Sequence, residues 1–182
     1  MQIITGKYRG RKLLSLETEK TRPTLARVKE SLFSMVDEYI SDKVVLDLFA
    51  GSGALGIEAL SRNAKKVYFV DSNPDAKKVI ETNLRNVKED FSVEISDYVL
   101  ALDKYAKTGV KFDLVFLDPP YKSDFGAKAI DLLAKKNLLN DGAIVCLEYE
   151  GVNHLQSFPE CYIILKSKKY GIAGIVILEY RK

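Results

Sequence analysis

Val44-Val45-Leu46-Asp47-Leu48-Phe49-Ala50-Gly51-Ser52-Gly53-Ala54-Leu55-Gly56 is the stretch that decides the fold. Its first half is an apolar run interrupted only by Asp47, which predicts a strand over residues 43–49 buried on both faces. Gly51, Gly53 and Gly56 then spell G-x-G-x-x-G, a loop turning tightly into a helix over residues 54–62. The free N–H groups of such a helix start are a ready site for polar or anionic ligand atoms. A second strand over residues 66–71 ends on Asp71, about 20 residues past the loop, where a carboxylate can hold ribose hydroxyls.

The same rhythm runs on. Pro74 suits a first helical turn and opens a helix to about residue 87. A strand over 91–96 leads to a helix near 98–107, a strand over 112–118 to a helix over 126–137, and a fifth strand covers 142–149. Apolar strands without polar alternation, each followed by a helix, mean a parallel sheet covered on both faces. The last two runs, 161–169 and 172–180, are joined too closely for a crossover helix and must form an antiparallel hairpin. The expected fold class is therefore α/β, a Rossmann-like sheet of about seven strands, mostly parallel.

Ahead of this core, residues 2–5 and 11–16 flank Gly6-Lys7-Tyr8-Arg9-Gly10 and read as a basic β-hairpin or two short strands around a glycine-framed loop. Thr24 reads as the N-cap of a helix over 25–39. Val28, Leu32, Phe33, Met35 and Val36 form its apolar face, and Arg27 and Lys29 leave a basic side. One domain is expected over 1–182, with a basic extension over 1–40 and the core over 41–182.

Composition narrows the class. The chain has 182 residues, 47% of them apolar and 29% charged, as in an ordinary globular protein. Its net charge of +3 is unevenly spread: the first 35 residues carry eight Lys and Arg against three Glu. For charge alone a solvated face is the plainer reading of that asymmetry, and a polyanionic partner is the alternative. No apolar run approaches the roughly 20 residues that span a bilayer, and the N-terminus does not read as a signal peptide. Cys146 and Cys161 sit in apolar runs and read as free thiols in a reducing, cytoplasmic setting. Neither a Cys pair nor a His cluster offers metal-ligand spacing, so no metal is expected.

The glycine loop alone fits a nicotinamide enzyme as well as an S-adenosylmethionine enzyme. Three features favour the methyl donor. Asp47 places a negative charge where a pyrophosphate would be repelled but an ammonium or sulfonium welcomed. Asp97, after the third strand, can reach an adenine amine or cap a helix. The closing antiparallel hairpin departs from the all-parallel nicotinamide fold.

The fourth strand runs straight into Asp118-Pro119-Pro120-Tyr121. Neither proline offers an N–H, and each restrains the residue before it, so the corner is stiff. It presents a carboxylate, carbonyl oxygens and a flat ring, which suit an amine on a planar base. A plain rigid turn is the competing reading of the tetrapeptide alone.

With these residues the chain resembles a class I S-adenosylmethionine-dependent methyltransferase. Asp-Pro-Pro-Tyr matches the signature of enzymes that methylate exocyclic amino nitrogens. Residues 6–13, Arg22-Pro23-Thr24 and the run 27–33 narrow the likeness to small-subunit ribosomal RNA guanine-N2 methyltransferases of the RsmD type. The likeness covers residues 3–180. Tyr8 stands where Trp is frequent, Lys29 where Arg is common, and Asn63 where Gly is frequent.

The resemblance implies Asp118, Pro119, Pro120 and Tyr121 as the catalytic corner. It implies Asp47, Phe49, Ala50, Gly51, Ser52, Gly53, Gly56, Asp71, Ser72, Asp97 and Tyr98 around S-adenosylmethionine. Lys7, Arg9, Arg11, Lys12, Arg22 and Arg27 would hold RNA phosphates, with Arg22 nearest the pocket. Ribosomal RNA in the small subunit is the expected partner, and a monomer the expected state. An adenine-N6 or cytosine-N4 DNA methyltransferase, a nicotinamide oxidoreductase and a nucleic-acid-binding module remain as alternatives. His154, the only histidine, is not expected to be catalytic.

Overall fold

The computed structural model describes residues 1–16, 23–120, 124–150 and 158–182. Seven strands among them form one sheet: β1 (Val44–Asp47), β2 (Lys66–Asp71), β3 (Asp90–Ile95), β4 (Phe112–Leu117), β5 (Leu139–Glu150), β6 (Tyr162–Tyr170) and β7 (Ala173–Tyr180). Their order is β3-β2-β1-β4-β5-β7-β6. The first five pair in parallel, while β7 runs antiparallel to both β5 and β6. The apolar strands thus produce the expected parallel sheet, and the short 170–173 connection gives the expected hairpin.

The helices are α1 (Pro23–Val36), α2 (Ala54–Ser61), α3 (Pro74–Asn83), α4 (Tyr98–Thr108) and α5 (Phe125–Lys135). Val28, Leu32 and Phe33 of α1, Ile57 and Leu60 of α2 and Ile80 of α3 pack with Val45, Phe69 and Phe116 on one face. Leu102 and Tyr105 of α4 and Ile130 and Leu133 of α5 pack with Leu46, Val70 and Val115 on the other. Alternate residues of one strand therefore feed opposite cores, as the period of two requires.

Several boundaries differ from the sequence reading, each for a local reason. The N-terminal hairpin is reduced to one bridge, Gln2 to Lys12. The outward N–H groups of Ile4 and Thr5 go instead to the Glu58 carboxylate, at 2.8 and 3.0 Å. Helix α1 starts at Pro23, so Thr24 lies inside its first turn and does not precede it. The helix stops at Val36, and a 3₁₀ turn covers Asp37–Tyr39. Lys29 is not part of a basic side: it is buried, pairs with Glu58 at 2.9 Å and donates to the Gln2 carbonyl. Helix α3 ends at Asn83, short of residue 87, and Asn86 follows with φ +65°. Asn63, where glycine is frequent in the resembling family, has φ +68°, a left-handed conformation that asparagine tolerates.

Candidate active site

The strand order reverses between β1 and β4: from β1 the chain winds outward through β2 and β3, then returns to β4 and continues the other way. In open α/β sheets, ligands bind at such a switch point, beyond the carboxyl ends of the strands. Asp97, Asp71, the glycine loop and Asp118 follow β3, β2, β1 and β4 in that lateral order, so all four share this edge.

The glycine loop is built by carboxylates from beneath. Asp47 is buried, and its Oδ2 accepts from the Gly56 N–H at 2.9 Å, pinning the first turn of α2. Asp71 Oδ2 accepts from the Gly51 N–H at 2.7 Å, and its Oδ1 from the Asn73 N–H at 2.8 Å. A carboxylate has about four acceptor sites, so Asp71 keeps capacity for hydroxyls. Gly53 has φ +78°, which favours glycine. A Cβ at Gly56 would lie 2.3 Å from the Phe69 ring, so α2 can approach the sheet this closely only without one. Buried Ser52 presents its carbonyl to Asn83 Nδ2 at 3.0 Å, tying the loop to the end of α3.

Between the starts of α4 and α5 the edge is aromatic. The Asp97 carboxylate caps α4 through the Val99 N–H at 2.8 Å and is otherwise exposed, so the cap reading holds without closing the site to a ligand. Phe49 lies 5.4 Å from the Tyr98 ring centroid, and Phe125 lies 5.3 Å from Tyr98. Phe49 and Phe125 are nearly parallel, at 10°. Phe125 was not anticipated; it becomes visible only once α5 is folded back over the edge. Ala50 is buried, donating its N–H to the Val70 carbonyl at 2.9 Å, and Ser72 is exposed. Carboxylates, a glycine cradle and a flat aromatic wall together fit a nucleoside-bearing cation better than a dinucleotide, because Asp47 lies directly under the loop.

Asp118 and Pro119 are half-buried and Pro120 is exposed, at the mouth of β4. Gly126 of α5 packs behind this corner; a Cβ there would stand 2.6 Å from Leu147 Cδ1 and 3.4 Å from Pro119 Cγ. Register pairs Leu117 with Leu147, which sets Asp118 beside Glu148 of β5. Burial, then the carboxylates of Asp118 and Asp47, push the Glu148 carboxyl well above its ordinary value of 4.5. Glu148 too escaped the sequence reading, since only register reveals its neighbour. Tyr121, Arg22 and His154 lie outside the described residues. Among the described residues, no group of three or more His, Cys, Asp or Glu side chains is placed to hold a metal.

The basic arm is fastened elsewhere. Lys7 and Tyr8 donate their N–H groups to Ser61, the last residue of α2. Gly6 is required there, because a Cβ would fall 1.9 Å from the Ser61 carbonyl oxygen. The glycine loop lies at the other end of α2, eight residues or about 12 Å away. Lys7 pairs with Glu89 at 2.8 Å, and Arg11 donates to the Arg85 carbonyl. Arg9 and Lys12 are exposed, and so is Arg27 on α1. Two of the arm's cations therefore serve in anchoring it.

Residues 1–179 match the family described as conserved hypothetical protein 95. The chain is 41% identical over 176 residues to ribosomal RNA small subunit methyltransferase D of Haemophilus influenzae, covering 96% of this chain and 91% of that one. It is 33% identical to the protein of the same name from Escherichia coli K12, covering 94% and 85%. The solved structure of the yhhF protein of Escherichia coli superposes with a TM-score of 0.89 at 32% identity, covering 100% of this chain and 98% of that one.

Proposed function

The chain belongs to the ribosomal RNA small subunit methyltransferase D family, and from that premise we propose that it transfers a methyl group from S-adenosylmethionine to the exocyclic N2 amine of a guanine in small-subunit ribosomal RNA. The observation that carries the reading is the adjacency of β1 and β4: the glycine loop ends one, and Asp118-Pro119-Pro120 ends the other. Donor and amine would thus meet at one switch point.

Asp47, Phe49, Ala50, Gly51, Ser52, Gly53, Gly56, Asp71, Ser72, Asp97 and Tyr98 would hold the donor, which supplies an activated methyl on a sulfonium. The guanine amine is a weak nucleophile, because its lone pair is shared with the ring. Asp118 and the Pro119 carbonyl accept its two hydrogens and aim the nitrogen, and Pro120 keeps the corner stiff. This is orientation together with stabilisation of the positive charge that grows on nitrogen. By the family resemblance Tyr121 would stack on the base, which must leave its own stack to enter. Asp118 or water takes the proton released after transfer. Arg9, Lys12, Arg22 and Arg27, with Lys7 and Arg11, steer phosphates; such contacts position the RNA without reading its sequence.

The test is transfer of labelled methyl to a small-subunit ribosomal RNA transcript. Asp118→Ala is expected to lower the rate by about 10²–10³-fold, the scale of losing one transition-state hydrogen-bond partner. Calorimetry should find donor affinity kept. Full activity in that variant removes Asp118 from the mechanism, and binding of NAD in place of S-adenosylmethionine ends the donor reading.

A further inference from the structure

The edge of the sheet holds a second cationic surface that the N-terminal arm does not explain. β6 ends the sheet, and its residues 163–169 are all exposed. Because β7 runs antiparallel to β5, Ala173 sits opposite both Glu150 and Tyr170. The hairpin's turn therefore stands at the carboxyl edge, the edge that carries Asp118. The arm's loop, by contrast, lies at the far end of α2.

Lys166, Lys168 and Lys169 cluster on this strand. Lys166 donates to the Met35 carbonyl at 2.9 Å, and Lys168 approaches Ser31 Oγ at 3.5 Å. Tyr170 also bonds Ser31, so the hairpin is held against α1 at the turn. Exposed Arg27 lies one helical turn before Ser31 and continues the cationic row toward the site. Alternation along the strand turns Lys169 to the opposite face, carrying charge around the edge. Among the described residues, none of these four cations is in an ion pair. Glu30 on α1 and Glu150 of β5, opposite Ala173, are acidic residues of the same region, and among the described residues neither is in an ion pair with these cations. Ile172, 71% exposed in the turn, offers an apolar surface beside the charges.

We propose that the β6–β7 hairpin and the Arg27 side of α1 form a docking surface for the phosphate backbone of the substrate RNA, flanking the site across from the glycine loop. The proposal rests on the functional reading above. From β4 to β6 is three strand spacings, or about 14 Å, a distance that a few nucleotides cover. A base held at Asp118 would then have its backbone running over Lys168 and Arg27, with Ile172 available to an unstacked neighbour. Ammonium groups suit this task, since phosphate attraction needs no fixed geometry.

The experiment compares wild type with Lys166→Glu/Lys168→Glu/Lys169→Glu for binding to a small-subunit ribosomal RNA transcript across a salt series. Calorimetry with S-adenosylmethionine checks that each protein is folded. The expected result is a loss of at least tenfold in RNA affinity and a salt slope shallower by about 2, with donor binding unchanged. If the charge reversal impairs donor binding, the Lys→Gln triple variant is read in its place, and the same flattening is expected. An unchanged slope overturns the proposal, as does weakened binding to assembled small subunits with free-RNA binding intact, which would make the partner a protein. A wild type that shows salt-dependent binding neither to the transcript nor to assembled small subunits fails the functional reading itself.

Discussion

Glu148 and Asp118 end neighbouring strands, and their carboxyls share one partly covered edge with Asp47. Burial first, then the two carboxylates, raise the Glu148 carboxyl, so in the folded protein it keeps its proton after an unfolded chain would lose it. The contribution to stability is thus complete below the ordinary value of 4.5 and is lost as pH rises toward the raised folded value. Glu148→Gln should remove that loss. Urea denaturation from pH 4 to pH 8 should show the variant gaining stability relative to wild type as pH rises; a constant difference would mean that Glu148 titrates normally. Gly56→Ala tests packing at the same scale. With the Phe69 ring 2.3 Å from the new Cβ, it should cost about 1–3 kcal/mol, and a neutral outcome would show that the ring moves freely. At this scale the sequence was readable where residue type alone dictates backbone geometry, as at Gly53 and Gly56. It was silent wherever a role depends on a strand neighbour, as with Glu148, Gly126 and Phe125.

Helix α2 is the element that joins the two ends of the molecule's chemistry. Its N-terminus carries the glycine loop, and Glu58 near its C-terminus is a buried clamp. That carboxylate accepts from the Ile4 and Thr5 N–H groups and pairs with Lys29 and with Arg62 at 3.1 Å. Burial lowers the Lys29 pKa even though Glu58 opposes the shift, so the ammonium depends on its partner. Glu58→Ala should cost about 3–5 kcal/mol in a denaturant titration, because it strands a buried cation and two backbone donors. A cost under about 1 kcal/mol would mean that water reaches Lys29 readily. None of this pairing could be read beforehand: 54 residues separate Ile4 from Glu58, and Lys29 looks like any exposed helical lysine. The helix itself was legible almost to the residue, since the glycines fix its start and the left-handed Asn63 closes it.

For the whole molecule, local patterns specified a topology because each strand-helix-strand connection has essentially one favourable hand. The seven-stranded sheet with its final antiparallel pair, and the relatives' solved structures, bear out the class I methyltransferase fold. The placement of charge on that fold was harder to foresee. The basic arm dominates the sequence count, yet its loop anchors at the far end of α2, while the hairpin's lysines stand at the edge where Asp118 lies. Charge counts along a chain carry no information about which edge of a sheet receives them. The measurement that bears most directly on the central claim is nucleoside mass spectrometry of small-subunit ribosomal RNA from cells lacking the protein. N2-methylguanosine should fall, return with the wild-type gene and stay low with Asp118→Ala; unchanged N2-methylguanosine, with N6-methyladenine or N4-methylcytosine lost from DNA instead, would contradict the account.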